Sequence, residues 1–369
     1  FNAELKRGSA DRSHILPMLP RYGDQIRTVR HIMQAEDSKF IDALSKFCPN
    51  LCELGILGDH IGAPSEFKGD WQRVRYPKVE TCSLHSLRGL DFLQCVPNAQ
   101  SLSIVNCSGG AHGWLRLERL RDLTCELTTD TSRALMQLRS GKLEQLKLDW
   151  EVSPASPASA AFWQHVAQLA VRVTVVAYVN VVGATAAEAL AIAQQLADCK
   201  SLTRCRLQIT RHVAAVLDAL RPSNCSQLTT LYLFVPPFSE LARLQNVSQL
   251  KDLYLTVQGS ADHELAPADL PALLPSSLHK LNLQLECAAL SLLNVIELLA
   301  AISKRCTSMT VFVLVVPSTK CDDFAAASAA VRSLELTTQC YLTITDVASL
   351  SLACTLPWPP HVSVSNQCF

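Results

Sequence analysis

Fifteen cysteines and ten histidines are the side chains of this 369-residue chain best able to hold a metal or act as nucleophiles. A closed metal site needs several such ligands converging, which a sequence shows as paired CxxC or HxxxH-like spacings. The nearest approach is Cys82-Ser-Leu-His85, half of such a site. On a strand, residues three apart point to opposite faces, so Cys82 faces the core, His85 faces out, and the two do not share an ion. Cys48 and Cys52 straddle a helix–strand turn and read as packing. The histidines form no cluster, and Gly109-Gly110 reads as a turn rather than a phosphate-binding loop. No GxSxG, HExxH or paired CxxC is present. The expectation is a chain without catalytic residues, metal or cofactor.

The remaining chemistry is that of recognition. Arg204, Arg206, Tyr232, Phe234, Asp252, Tyr254 and Lys280 occupy equivalent places in four successive copies of one short apolar pattern. Tyrosine and arginine gathered on one surface have the composition of protein-binding hot spots. Three aromatics on adjacent strands can equally serve as cover for their neighbours by cross-strand pairing. Both readings require the same elements to position the side chains.

Those elements are written by Φ-x-x-Φ-x-Φ, with Φ apolar, occurring eleven times between Leu51 and Ile344. Four copies are pure leucine: Leu143/Leu146/Leu148, Leu228/Leu231/Leu233, Leu250/Leu253/Leu255 and Leu278/Leu281/Leu283. Looser copies include Leu51/Leu54/Ile56, Val79/Cys82/Leu84, Val173/Val176/Tyr178, Leu202/Cys205/Leu207 and Met309/Phe312/Leu314, with Ile26/Val29/His31 and Gln339/Leu342/Ile344 as weak end members. First anchors recur every 20 to 31 residues. This period is that of leucine-rich repeats, one strand and one helix each, none able to bury its apolar side alone. The fold expected is an α/β horseshoe solenoid of about 12 or 13 degenerate repeats, its parallel strands lining the concave face. The domain expectation is an irregular segment over 1–20, the solenoid over 21–345 and a cap with one edge strand over 346–369.

In each triplet the last two apolar residues point into the core, and the residues around them line the concave face. The resulting strip begins small and mostly neutral (Glu53, Gly55, Leu57; Thr81, Ser83, His85; Ser101, Ser103, Val105) and leans acidic over Asp122, Thr124, Glu126 and Gln145, Lys147, Asp149. It becomes apolar at Val175, Ala177, Val179, then basic at Arg204 and Arg206. The aromatic strands follow, then Lys280, Asn282, Gln284, and the strip closes on Val311, Val313, Val315. A loop or terminus burying the two valine-rich stretches is the alternative to their forming part of the open face.

Composition narrows the function classes. Hydrophobic residues make up 49% and charged residues 18%, so burial is ample. Zero net charge argues against bulk electrostatic binding of nucleic acid. No stretch is long and apolar enough to span a membrane as a helix. The cysteines are odd in number, spread along the chain and often at core positions, as free thiols acting as small hydrophobes would be. With no secretory signal at the start, an intracellular protein, cytoplasmic or nuclear, is expected, against three sequons (Asn106, Asn224, Asn246) that nominally favour secretion.

Along the chain, Phe40, Ile41, Leu44 and Phe47 mark a helix face, and further helices are expected near 184–198, 212–221, 289–305 and 321–334. In Ser153-Pro-Ala-Ser-Pro-Ala-Ser-Ala-Ala161, Ser156 is the expected N-cap and Pro157 the first helical residue. The Asn or Cys that closes the turn after many such triplets is mostly replaced here, by Asp59, Thr128, Thr210, Pro236 or Pro317; Cys107 keeps it.

The phrases Tyr22-Gly-Asp-Gln-Ile-Arg-Thr-Val-Arg30 and Phe40-Ile-Asp-Ala-Leu-Ser-Lys-Phe-Cys-Pro-Asn-Leu-Cys-Glu-Leu-Gly-Ile56 resemble the F-box leucine-rich-repeat substrate receptors. Echoes of "helix, then Cys-Pro-Asn-Leu-x-x-Leu" occur at Cys95-Val-Pro-Asn98, Cys199-Lys-Ser-Leu202 and Cys306-Thr-Ser-Met309. The resemblance implies a concave face that holds the substrate of a cullin-RING ubiquitin ligase. An F-box is not recognisable in this chain, and the ligase adaptor is a partner only through an F-box upstream of Phe1. The alternatives are a non-ligase repeat scaffold or regulator and a secreted receptor-type repeat domain.

Overall fold

The computed structural model describes residues 2–5, 16–32, 38–58, 65–66, 73–108, 117–138, 141–153, 159–180, 182–209, 211–234, 238–258, 269–286, 290–320, 323–336 and 338–365. The chain forms two compact units, Phe1–Glu151 with Ala158–Val175, and Val152–Pro157 with Val176–Phe369.

In the first unit, strands Asn2–Leu5, Thr28–Ile32, Glu53–Leu57, Thr81–His85, Ser101–Val105, Asp122–Leu127 and Gln145–Val152 pair side by side, all parallel. In the second, Leu202–Gln208, Thr230–Phe234, Asp252–Gln258, Lys280–Glu286, Val311–Val316, Gln339–Ile344 and Val362–Ser365 do the same. Parallel neighbours need a crossover, and helices or 3₁₀ turns fill most of them: Ser38–Phe47, Leu90–Cys95, Thr129–Gln137, Ala186–Asp198, Val213–Ala219, Leu292–Arg305 and Phe324–Arg332. Each unit is thus a stack of parallel strands joined by helical or 3₁₀ crossovers, the α/β leucine-rich-repeat arrangement that the spacing predicts.

Register explains why the triplets matter. Leu231, Leu253, Leu281 and Phe312 are successive Cα partners, as are Leu233, Leu255, Leu283 and Leu314, so each repeat sets its two inward residues against those of the next. These side chains are fully buried. The first anchor is held differently. Its backbone N–H donates to the carbonyl three residues earlier in repeat after repeat, at Leu51 to Cys48, Leu202 to Cys199, Leu228 to Cys225, Leu250 to Val247 and Met309 to Cys306. The residue at the start of that turn is buried between repeats, and in four of these five it is cysteine. The Cys225 thiol donates to the Leu196 carbonyl at 3.2 Å, and Cys107 closes its own turn toward Val105 at 3.3 Å and Leu84 at 3.5 Å.

Glycine is required at Gly58, where a Cβ would lie 2.0 Å from the Ser86 carbonyl oxygen. Several helix N-termini carry side-chain caps. Thr128 and Thr185 form capping boxes with Thr131 and Glu188, and Ser291 and Asp323 accept from the third residue of their helices.

Four expectations are corrected. Asn2–Leu5 is a strand paired with Thr28–Ile32, not irregular chain. Ser159, not Ser156, caps helix Ala160–Leu169; three serines at three-residue spacing offer three frames, and Ser156 and Pro157 lie outside the described residues. In strand Arg172–Asn180 the inward residues are Val175, Ala177 and Val179, each at most 2% exposed, while Tyr178 is 42% exposed. The triplet Val173/Val176/Tyr178 is therefore out of phase by one residue, and a one-residue slip exchanges the faces. The last triplet is displaced by two residues, which keeps the faces: Leu342 and Ile344 point inward as expected, but Gln339 is not an anchor. Cys340 and Leu342 pair with Phe312 and Leu314, and Gln339 faces out beside Val311. The pair Gly109-Gly110 and the turn positions Asp59, Thr210 and Pro236 lie outside the described residues.

Among the described residues no helix is long and apolar enough to cross a membrane, and no three metal-ligating side chains converge. Cys82 is buried and His85 half-buried on the opposite face of its strand.

Candidate protein-binding face of the second unit

All seven residues singled out by sequence stand on one sheet face within the second unit. Strands Leu202–Gln208, Thr230–Phe234, Asp252–Gln258 and Lys280–Glu286 are adjacent, and their outward residues form rows across the sheet. The first row runs Arg204, Thr230, Asp252, Lys280; the second Arg206, Tyr232, Tyr254, Asn282; the third Gln208, Phe234, Thr256, Gln284. Inward neighbours such as Cys205, Leu231, Leu253 and Leu281 are buried, which fixes the outward direction of the residues between them.

The centre of the face is aromatic. Tyr232 and Tyr254 are in-register partners on parallel strands, so their rings lie one strand spacing apart and stack, with centroids 4.2 Å apart and planes 10° from parallel. Arg206 reaches diagonally across the register to place its guanidinium carbon 4.9 Å from the centre of the Phe234 ring. Such a contact uses the flat face of the guanidinium and leaves its N–H edge available to an acceptor. Partial burial pushes the Tyr254 hydroxyl above its usual range. The neighbouring Tyr232 hydroxyl adds to this by charge and hydrogen bond, Asp252 adds further, and Arg204 acts in the opposite sense. The phenol is neutral at physiological pH and serves as hydrogen-bond donor and acceptor.

Charge around the aromatics is not internally neutralised. Arg204, Arg206 and Lys280 are exposed and Asp252 half-buried, and none of the four makes an ion pair among the described residues. The face therefore carries three cations against one anion, with Glu286 beyond them, tied to the Gln284 side chain at 3.0 Å. The first unit is different. There Arg30 is engaged by Glu53, Nε and Nη2 donating to one carboxylate oxygen at 3.1 and 2.9 Å, and Arg121 and Lys147 meet Glu144 and Asp149.

Sequence reasoning left open whether the face extends to the outward valines or a loop buries them. Val311, Val313 and Val315 are half-exposed, not covered, and Tyr341 stands next to Val313 in the following strand. Strict alternation in Val-Phe-Val-Leu-Val-Val316 carries the parity, but whether anything lies over the outward valines is decided by distant chain.

No protein-family model matches the chain, and no curated protein matches it. Among solved structures it is similar to an internalin (inlF) of Listeria monocytogenes str. 4b F2365, at 14% identity over 94% of this chain and 88% of that one, with a TM-score of 0.45. It is also similar to the leucine-rich-repeat-containing protein LegL7 of Legionella pneumophila, at 13% identity over 95% of this chain and 92% of that one, with a TM-score of 0.34.

Proposed function

We propose that this chain is a protein-interaction module whose second unit holds a protein partner on its outward sheet face, with Arg204, Arg206, Tyr232, Phe234, Asp252, Tyr254 and Lys280 in contact. The observation that carries the reading is a stacked tyrosine pair set beside exposed cations that have no ionic partner among the described residues. A surface meant only to cover its neighbours has no need of unpaired arginines, whereas an interface core is rich in Tyr and Arg. The reading includes no catalytic step, metal or cofactor. Within it, the Cys-Pro-Asn-Leu-x-x-Leu phrases support substrate recognition for a cullin-RING ubiquitin ligase in the cytoplasm or nucleus.

Two experiments test this. A photo-crosslinking amino acid placed at Tyr232, with the same probe at exposed Leu190 as control, should capture one protein from the producing cells at position 232 alone. Equal capture at both positions, or none at 232, overturns the face. Expression of the gene from its own start codon, followed by mass spectrometry, asks whether the cullin-ligase adaptor copurifies. Its absence retires the ligase setting and leaves a repeat scaffold.

A further inference from the structure

The chemistry of this face is sorted by strand rather than along strands. Leu202–Gln208 shows Arg204 and Arg206; Thr230–Phe234 shows Tyr232 and Phe234; the next shows Tyr254. Lys280–Glu286 shows Asn282 and Gln284, and Val311–Val316 shows only valines. Asp252 and Lys280 are in-register neighbours of opposite charge, so they offset one another, and the unbalanced positive charge sits at the arginine strand. Crossing the strands, the surface passes from cationic to aromatic to amide to aliphatic.

Resting on the proposed binding role, we infer that the partner presents an extended segment laid across the strands, with a carboxylate over Arg204 and Arg206 and an aliphatic residue over Val311, Val313 and Val315. Charge complementarity fixes one end, because two exposed arginines with no ionic partner among the described residues bind a carboxylate in a fork geometry that a neutral residue cannot replace. The half-exposed valines fix the other end. The distance follows from sheet geometry. Four strand steps of ~4.8 Å span ~19 Å, which an extended chain rising ~3.3 Å per residue covers in about six residues. Alternate residues of that segment face the sheet, so a side chain between the two ends lies over the Tyr232–Tyr254 stack and the Asn282 and Gln284 amides.

The test is selection of a displayed library of random linear nine-residue peptides on the full chain and on Arg204→Glu/Arg206→Glu, both substitutions lying at exposed positions. The wild type should enrich peptides with Asp or Glu about six residues from Val, Ile or Leu. The double reversal should bind that family at least tenfold more weakly and enrich Lys or Arg at the acidic position. Val313→Ser should relax the aliphatic position alone. Enrichment without an acidic position, enrichment indifferent to charge reversal, or no enriched family overturns the inference. Peptides indifferent to charge reversal yet lost on Tyr232→Ala/Tyr254→Ala would overturn this polarity while leaving the binding face standing. Peptides indifferent to both changes would remove the face as well.

Discussion

The buried thiols make alkaline stability a sharp test of the packing. Burial pushes Cys82, Cys95, Cys225 and Cys340 up to about 12, and Cys48, Cys107 and Cys306 up to about 11, from 9.0. All seven are at most 2% exposed. A group whose folded pKa lies above its unfolded value contributes stability that is complete below the unfolded pKa and lost as pH rises toward the folded one. The window is therefore pH 9 to 12. At pH 10 the unfolded thiols are mostly ionised and the folded ones are not, so each thiol costs a little over ~1 kcal/mol relative to pH 7. Seven give about 9 kcal/mol, four thiols acting in the first unit and three in the second, against a typical domain stability of about 5–15 kcal/mol. Urea unfolding under reducing conditions at pH 7, 8, 9 and 10, followed by circular dichroism, should show a plateau to about pH 8 and a steep fall above pH 9. Cys82→Ala with Cys225→Ala should lower stability at pH 7 by opening cavities. The same pair should make the alkaline fall shallower by about 1 kcal/mol per pH unit for each thiol removed. Constant stability from pH 8 to 10, or an unchanged slope in the variant, would refute the reasoning.

Other outcomes follow from single sites. Leu231→Ala empties a fully buried inward position and should destabilise the second unit by about 2–5 kcal/mol in denaturant unfolding. Thr185→Ala removes the hydroxyl that accepts from the Glu188 N–H and should cost about 1 kcal/mol, with a matching fall in thermal midpoint. Peptide-level mass spectrometry after alkylation of the native protein should find exposed Cys354 and half-buried Cys52 modified, with Cys82, Cys125 and Cys205 modified only in denaturant. Disulfide-linked peptides among these cysteines would instead favour the secreted alternative.

The repeat frame was legible wherever leucine stood against polar neighbours, as in Leu228-Thr-Thr-Leu-Tyr-Leu233, because the inward positions there have no rival parity. It slipped in Val173-Thr-Val-Val-Ala-Tyr-Val179, where nearly every residue is apolar and period-two alternation carries no phase. The single tyrosine took the outward place that the triplet had assigned to the core. Of the candidate site, the placing of Tyr232, Phe234 and Tyr254 on adjacent strands was legible from the repeat positions, and the structure adds that Tyr232 and Tyr254 stack. The reach of Arg206 to Phe234 was not legible, because a diagonal contact depends on rotamers rather than on sequence position. The openness of Val311, Val313 and Val315 was not either, since alternation shows which way a side chain points but not what lies above it.

The most direct measurement of the central claim is a titration of the protein captured at position 232 against wild type, Tyr232→Ala/Tyr254→Ala and Leu190→Ala. Truncation of each hot-spot tyrosine is expected to cost about 2 kcal/mol, so the double variant should bind at least about thirtyfold more weakly, with folding intact and Leu190→Ala unchanged. Equal affinity for wild type and the tyrosine variant would contradict the account and leave the aromatic strands as cover for their own sheet.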